Sequence, residues 1–155
     1  MKKVIIFTAV IVVLFGALAL VTSLQNKQQA EGNPFNKTTL HPETVKQLEN
    51  PNYQNIILPE ELDQKLADGA TMTVYFYSPT CPACVETSPI VVPLAEEMNI
   101  DLPMFNLLEF EDGWRDYGIE STPTIIHYVD GKEVERIVGY QEEPTFRSWF
   151  EETVK

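Results

Sequence analysis

Histidine and cysteine are scarce in this chain: its 155 residues hold two of each. A Cys-x-x-Cys pair is half of a zinc site, and completing one here would take both His41 and His127. The first lies in a polar stretch and the second inside an apolar one, so no metal site is expected. A copper site would lack a neighbouring Met. Basic residues are also few, 11 Lys and Arg against 23 Asp and Glu, for a net charge of -12. A face able to neutralise phosphates needs the opposite balance, so no nucleic-acid partner is expected. Glycine occurs seven times and forms no phosphate-cradling loop. No internal repeat or low-complexity tract is present, and nothing calls for a cofactor. The two cysteines, Cys81 and Cys84, are too close to staple a fold by closing a long loop.

Hydrophobic residues make up 44% of the chain and charged ones 22%, enough for one packed domain with a modest appendage. The N-terminus reads Met1-Lys2-Lys3, then an uncharged run from Val4 to Leu24 broken only by Thr8, Gly16, Thr22 and Ser23. At about 1.5 Å per residue such a helix matches a hydrocarbon core of roughly 30 Å. Its length favours an uncleaved signal anchor over a cleaved signal peptide, although Ala17-Leu18-Ala19 resembles a cleavage site. Lys2 and Lys3 favour a cytoplasmic N-terminus, which places the remainder outside the cytoplasmic membrane. No cysteine lies nearby for lipid attachment. The expected organisation is a transmembrane helix over 1–24, a polar tether over 25–50 and a folded domain over 51–155.

In that domain, helix and strand patterns alternate. Short strands are predicted at Ile56–Leu58, Met72–Tyr77, Pro103–Leu108, Thr124–Val129 and Glu133–Val138. Helices are predicted at Pro59–Gly69, Cys81–Met98 and Pro144–Val154, with a short one from Pro42 to Glu49. Asp130-Gly131 marks a hairpin turn. The pattern implies an α/β domain with a central mixed sheet and helices on both faces.

The chemistry lies in Cys81-Pro82-Ala83-Cys84, which opens a helix directly after a strand. Helix N-termini carry unpaired N–H groups and partial positive charge, and both favour a thiolate. Cysteines so placed have pKa values lowered from about 8.5 to roughly 3.5–7.5. Cys81, before the first turn, is the expected nucleophile, and Cys84, on the helix, the resolving thiol. Pro82 suits the first turn because its missing N–H is not needed there. Glu86 is the nearest candidate base by sequence, against its plainer reading as a solvated helix carboxylate. His127 reads as a core or sheet-face residue. Thr122-Pro123 precedes a strand, and proline tolerates a cis bond.

Taken together, Tyr75 to Cys84, Pro89, Tyr117 to Thr124, Asp130-Gly131-Lys132 and Val138-Gly139 resemble a thioredoxin-family domain from about Asn55 to Lys155. With its N-terminal run, the chain resembles membrane-anchored extracytoplasmic thioredoxin-like proteins of Gram-positive bacteria. The resemblance implies a thioredoxin-like fold with a cis Thr122-Pro123 bond facing the cysteine pair and binding substrate backbone. It also implies that Pro89 kinks the active-site helix and that Gly139 allows close approach of another chain. Several positions depart from thioredoxin. Its buried aspartate is replaced by Tyr75, its paired lysine by Met104, the tryptophan before the first cysteine by Thr80, and Gly-Pro by Pro82-Ala83. Pro93 adds a second interior helix proline.

The expected function is a membrane-tethered thiol–disulfide oxidoreductase acting on thiols and disulfides of exported proteins, with disulfide formation preferred. A membrane redox partner would recharge it. The alternatives are an extracytoplasmic reductase, for example of the cytochrome c maturation type, and a non-catalytic accessory that binds a secreted peptide.

Overall fold

Six successive residues, Met72 to Tyr77, alternate between two faces that are both apolar, and they form the inner strand β1 of the sheet. The computed structural model describes residues 2–29 and 32–155, with side chains in the N-terminal helix at Phe7, Thr8, 10–22 and Leu24. β1 pairs in parallel with β2 (Met104–Asn106) and antiparallel with β3 (Thr124–Val129), which pairs antiparallel with the edge strand β4 (Lys132–Val138). The order is β2-β1-β3-β4, a mixed sheet. Asp130 and Gly131 both adopt positive φ, as a tight hairpin turn between β3 and β4 requires.

The period of two along β1 sorts its side chains. Tyr75 and Tyr77 enter one core with Cys84, Val91, Leu94, Phe146 and Phe150. Val74 and Phe76 enter the other with Leu62, Phe105, Leu107 and Ile126. Counting α1 as the N-terminal helix Lys2–Gln29 and α2 as Pro42–Val45, the first face is covered by α4 (Pro82–Glu97) and α6 (Glu143–Thr153). The second face is covered by α3 (Pro59–Ala67) and α5 (Gly113–Asp116). The expected α/β architecture with helices on both faces is the one observed.

Two strand expectations are shortened. Ile56–Leu58 forms only an isolated bridge, Ile56 to Met104, because Pro59 starts α3 immediately afterwards. β2 ends at Asn106, whose carboxamide oxygen accepts N–H bonds from Leu108 and Glu109 and turns the chain. Helix α4 runs unbroken through Pro89 and Pro93. Both prolines lie on its exposed side.

The boundary expected at residue 50 is corrected. Residues 33–50 are not a free tether but pack on the domain. Phe35 and Leu40 are buried and meet Ile56 and Phe110. Lys37 Nζ donates to Glu109 Oε2 at 3.0 Å and to the Glu109 carbonyl at 2.6 Å, and it lies 5.3 Å from the Phe110 ring centroid. The His41 N–H donates to Glu109 Oε1 at 2.8 Å, and Asn106 Nδ2 donates to Thr44 Oγ1 at 3.4 Å. A few well-spaced apolar residues and one buried carboxylate suffice to dock a segment whose composition is mostly polar. Of the expected tether, residues 30 and 31 lie outside the described residues, as does Met1 of the expected N-terminal helix.

The apolar N-terminal run is helical within α1, and its described large side chains, Phe7, Val13 and Phe15 among them, are exposed. Among the described residues no helix is long and apolar enough to cross a membrane, so the expected transmembrane helix over 1–24 is not found there.

The Lys37–Glu109 contact makes a stability prediction. The Glu109 side chain is only 3% exposed, so Lys37→Met leaves a buried carboxylate with one partner fewer and lowers urea-measured stability by about 1–3 kcal/mol. Lys46→Met, which breaks an exposed i,i+3 pair, changes it by less than about 0.5 kcal/mol.

Candidate redox site

β1 delivers the chain at Tyr77 to the turn Ser78-Pro79-Thr80, and Cys81 is the residue that caps α4. Its backbone is extended, with φ -87 and ψ 115, while Pro82 takes the first helical position. The usual capping oxygen is replaced by sulfur: the Cys84 N–H donates to Cys81 Sγ at 3.3 Å. The Cys81 carbonyl meanwhile accepts the Cys84 and Val85 N–H groups, each at 3.1 Å. A helix N-terminus with its open N–H groups is thus aimed at one sulfur atom. Cys81 is partly exposed, Cys84 is buried, and both carry free thiols.

The two sulfurs are inequivalent. Partial burial opposes the Cys81 thiolate, but hydrogen bonds from the Cys84 thiol, the Thr122 side chain and the backbone N–H groups of Cys84 and Ala83 outweigh it. The net result is a pKa lowered below the ordinary thiol value. Burial, and then the hydrogen bond that Cys84 gives to Cys81, push the Cys84 thiol up to about 12. Cys81 is thus the sulfur that ionises more readily, and Cys84 is the one that keeps its proton near neutral pH.

The second loop closes over the pair. Thr122-Pro123 is cis, and Cys81 Sγ lies 3.3 Å from the Thr122 carbonyl, to which the thiol form donates. The loop is held by Thr124 Oγ1 on the Ser121 carbonyl at 2.8 Å and by the Gly139 N–H on the Pro123 carbonyl at 2.8 Å. Cys81, Cys84, Pro82, Ala83, Thr122 and Pro123 therefore gather at one place, although 41 residues separate Cys81 from Thr122.

Among the described residues no carboxylate is seen below the pair. Tyr75, on β1, is fully buried, and its hydroxyl lies 3.1 Å from Ser88 Oγ and 3.5 Å from the Cys84 carbonyl, to which Ser88 Oγ donates at 2.9 Å. Burial, and then the neighbouring Cys84, raise the Tyr75 pKa well above its ordinary value, so this phenol stays neutral and cannot act as a base. Met104 stands opposite Tyr75 on β2, likewise uncharged. Ser88 went unnoticed in the sequence, although a hydroxyl four residues after Cys84 sits one helical turn above it. Tyr53, whose ring lies 5.4 Å from that of Tyr77 at a tilt of 41° in the same core, gave no sequence signal at all.

The remaining candidates lie elsewhere. Glu86 is exposed on α4. His127 is buried on β3 with Nδ1 2.9 Å from Thr73 Oγ1, and burial lowers its pKa. His41 caps α2, its Nδ1 accepting the Glu43 N–H. Among the described residues no group of three or more His, Cys, Asp or Glu side chains could hold a metal ion.

Comparison with known proteins points the same way. The family model "Thioredoxin" matches residues 53–152. A thioredoxin of Chlamydia pneumoniae is 33% identical over 88 residues, covering 56% of this chain and 85% of that one. A thioredoxin of Mycoplasmoides gallisepticum is 30% identical over 86 residues, covering 52% and 81%. Among solved structures, thioredoxin from Aeropyrum pernix superposes with a TM-score of 0.51 at 27% identity, covering 62% of this chain and 83% of that one. A mutant thioredoxin from Halobacterium salinarum superposes with a TM-score of 0.55 at 27% identity, covering 64% and 88%.

The inequivalence of the sulfurs is measurable by alkylation. Between pH 6 and 9, iodoacetamide is expected to label Cys81 alone in the reduced protein. The rate should rise with pH through a midpoint below that of an ordinary thiol, because the thiolate fraction grows as the depressed pKa is passed. Thr122→Val removes one hydrogen bond to the thiolate and should move that midpoint to higher pH.

Proposed function

The chain belongs to the thioredoxin family and is a thiol–disulfide oxidoreductase, and from that premise we propose that it works outside the cytoplasmic membrane, tethered to it, on exported proteins. Cys81 acts as the nucleophile and Cys84 as the resolving thiol. The observation that carries this assignment is the Cys81 sulfur seated as the cap of α4, 3.3 Å from the Thr122 carbonyl. In the exchange, the Cys81 thiolate attacks a substrate disulfide and expels one substrate thiolate, forming a mixed disulfide. Cys84 then loses its proton and attacks the Cys81 sulfur, releasing the second substrate thiol. The reverse sequence oxidises a substrate dithiol. Thr122 and Pro123 offer backbone to an extended substrate beside the reacting sulfur, and Pro82 and Ala83 shape the turn between the cysteines.

Disulfide formation is the preferred direction. Hydrogen bonds to the Cys81 thiolate stabilise the reduced form, which makes a dithiol pair a better oxidant. Tethering is supported by the uncharged run Val4–Leu24 behind Lys2 and Lys3, and by exposed large α1 side chains such as Phe15. A membrane redox partner would return the pair to its active state.

Cys81→Ser should lower insulin disulfide reduction on the order of a thousandfold or more, whereas Cys84→Ser should accumulate mixed disulfides with exported proteins. Equilibration with glutathione should give a reduction potential above about -200 mV. A value near about -270 mV, that of thioredoxin, would assign the reductase reading instead. Alkaline extraction should leave the chain in the membrane pellet, and its release would overturn the tether.

A further inference from the structure

The segment 33–50 lies before the matched family region, which starts at 53, yet it is docked on the domain through Phe35, Lys37, Leu40 and Thr44. Where it docks matters. β1 and β2 are parallel, with Tyr77 opposite Asn106. The loop that carries Cys81 and the loop that carries Glu109 therefore leave the sheet at the same end. The segment is fastened to that end: Lys37 and the His41 N–H hold Glu109, and Thr44 meets Asn106. The chain thus enters the domain on the side of the redox site.

This docking removes most of the slack between the N-terminal run and the domain. Were residues 25–50 free, they would span about 90 Å when extended. With Phe35 buried, only the residues between Leu24 and Phe35 are left, and those to Gln29 are helical. Their reach is about 30 Å at full stretch. From Phe35 the path to Cys81 is short. Its ring lies 6.3 Å from that of Phe110. The Phe110 N–H bonds to the Asn106 carbonyl, Asn106 pairs with Tyr77, and Tyr77 is four residues from Cys81.

We propose that the docked segment 33–50 is a spacer-shortening latch that confines the Cys81–Cys84 pair to within about 60 Å of the bilayer, and that its preferred partners are membrane-proximal cysteine pairs of integral membrane proteins. This rests on the tethered reading above. The exchange balances in both directions, and the reductive one is the one followed here: the reduced Cys81–Cys84 pair gives two electrons to a partner disulfide, which becomes two thiols as the pair becomes a disulfide, and disulfide formation is the reverse.

The test uses the full reduced chain reconstituted in vesicles with single-span reporter peptides. Each reporter carries a disulfide on a helical stalk about 30 Å or about 100 Å from the bilayer. In single turnover the near reporter should be reduced at least about fivefold faster, because its effective concentration is higher. A flexible insert of about 40 Gly and Ser residues between Glu31 and Gly32 should bring the two rates to within about twofold, leaving reduction of soluble insulin unchanged. Equal rates on the two reporters in a chain that floats with the vesicles would overturn the latch. So would a ratio that the insert does not alter. A chain that fails to float would overturn the tether itself, and the inference with it.

Discussion

The hydrogen bond from the Cys84 N–H to the Cys81 sulfur is the point on which the rest of the redox site depends. It makes the proposed nucleophile the cap of α4, so the helix begins at the reacting atom. Everything that favours a thiolate there follows from that position: open N–H groups, the positive end of the helix dipole and the Ala83 and Cys84 backbone. The same geometry buries Cys84 one turn inward, where loss of solvent holds its proton. One structural fact thus makes the two sulfurs inequivalent, one partly exposed and one buried.

Under this pair the interior is neutral. Tyr75, Ser88 and Met104 fill the space with two hydroxyls and a thioether, and the hydroxyls bond to each other and to the Cys84 carbonyl. A buried carboxylate would need its own partner to be tolerated, and none is provided here. The consequence is mechanistic. In the proposed exchange Cys84 loses its proton to the departing or neighbouring sulfur, or to water, rather than to a side-chain base beneath it. The hydroxyl pair holds the first turn of α4 to β1, positioning Cys84 without changing its charge.

The segment 33–50 shows how few residues are needed to convert a polar stretch into part of a domain. Phe35 and Leu40 supply the apolar contact, and the Glu109 carboxylate, almost wholly buried, is satisfied by Lys37 and the His41 N–H. An isolated buried carboxylate would be costly, so the contact is selective for this one docking geometry. It also extends the fold on the side where the redox loops emerge.

Much of this was legible from the chain alone. The β-branched and aromatic run Met72–Tyr77, the Asp130-Gly131 turn and the Pro–Gly punctuation around α3 are local signals, and they placed the sheet, its hairpin and its helices. Cys81-Pro82-Ala83-Cys84 after a buried strand is likewise local, since the strand's end and the helix's start depend on adjacent residues. What the tertiary structure alone decided depends on residues distant in sequence. Thr122 meets Cys81 across 41 positions, Lys37 meets Glu109 across 72, and Tyr75 reaches Ser88 only because β1 packs under α4. Burial is also a property of the assembled fold. Composition made 25–50 look like a tether because polarity averages over a segment, whereas docking depends on where two apolar side chains and one carboxylate happen to meet.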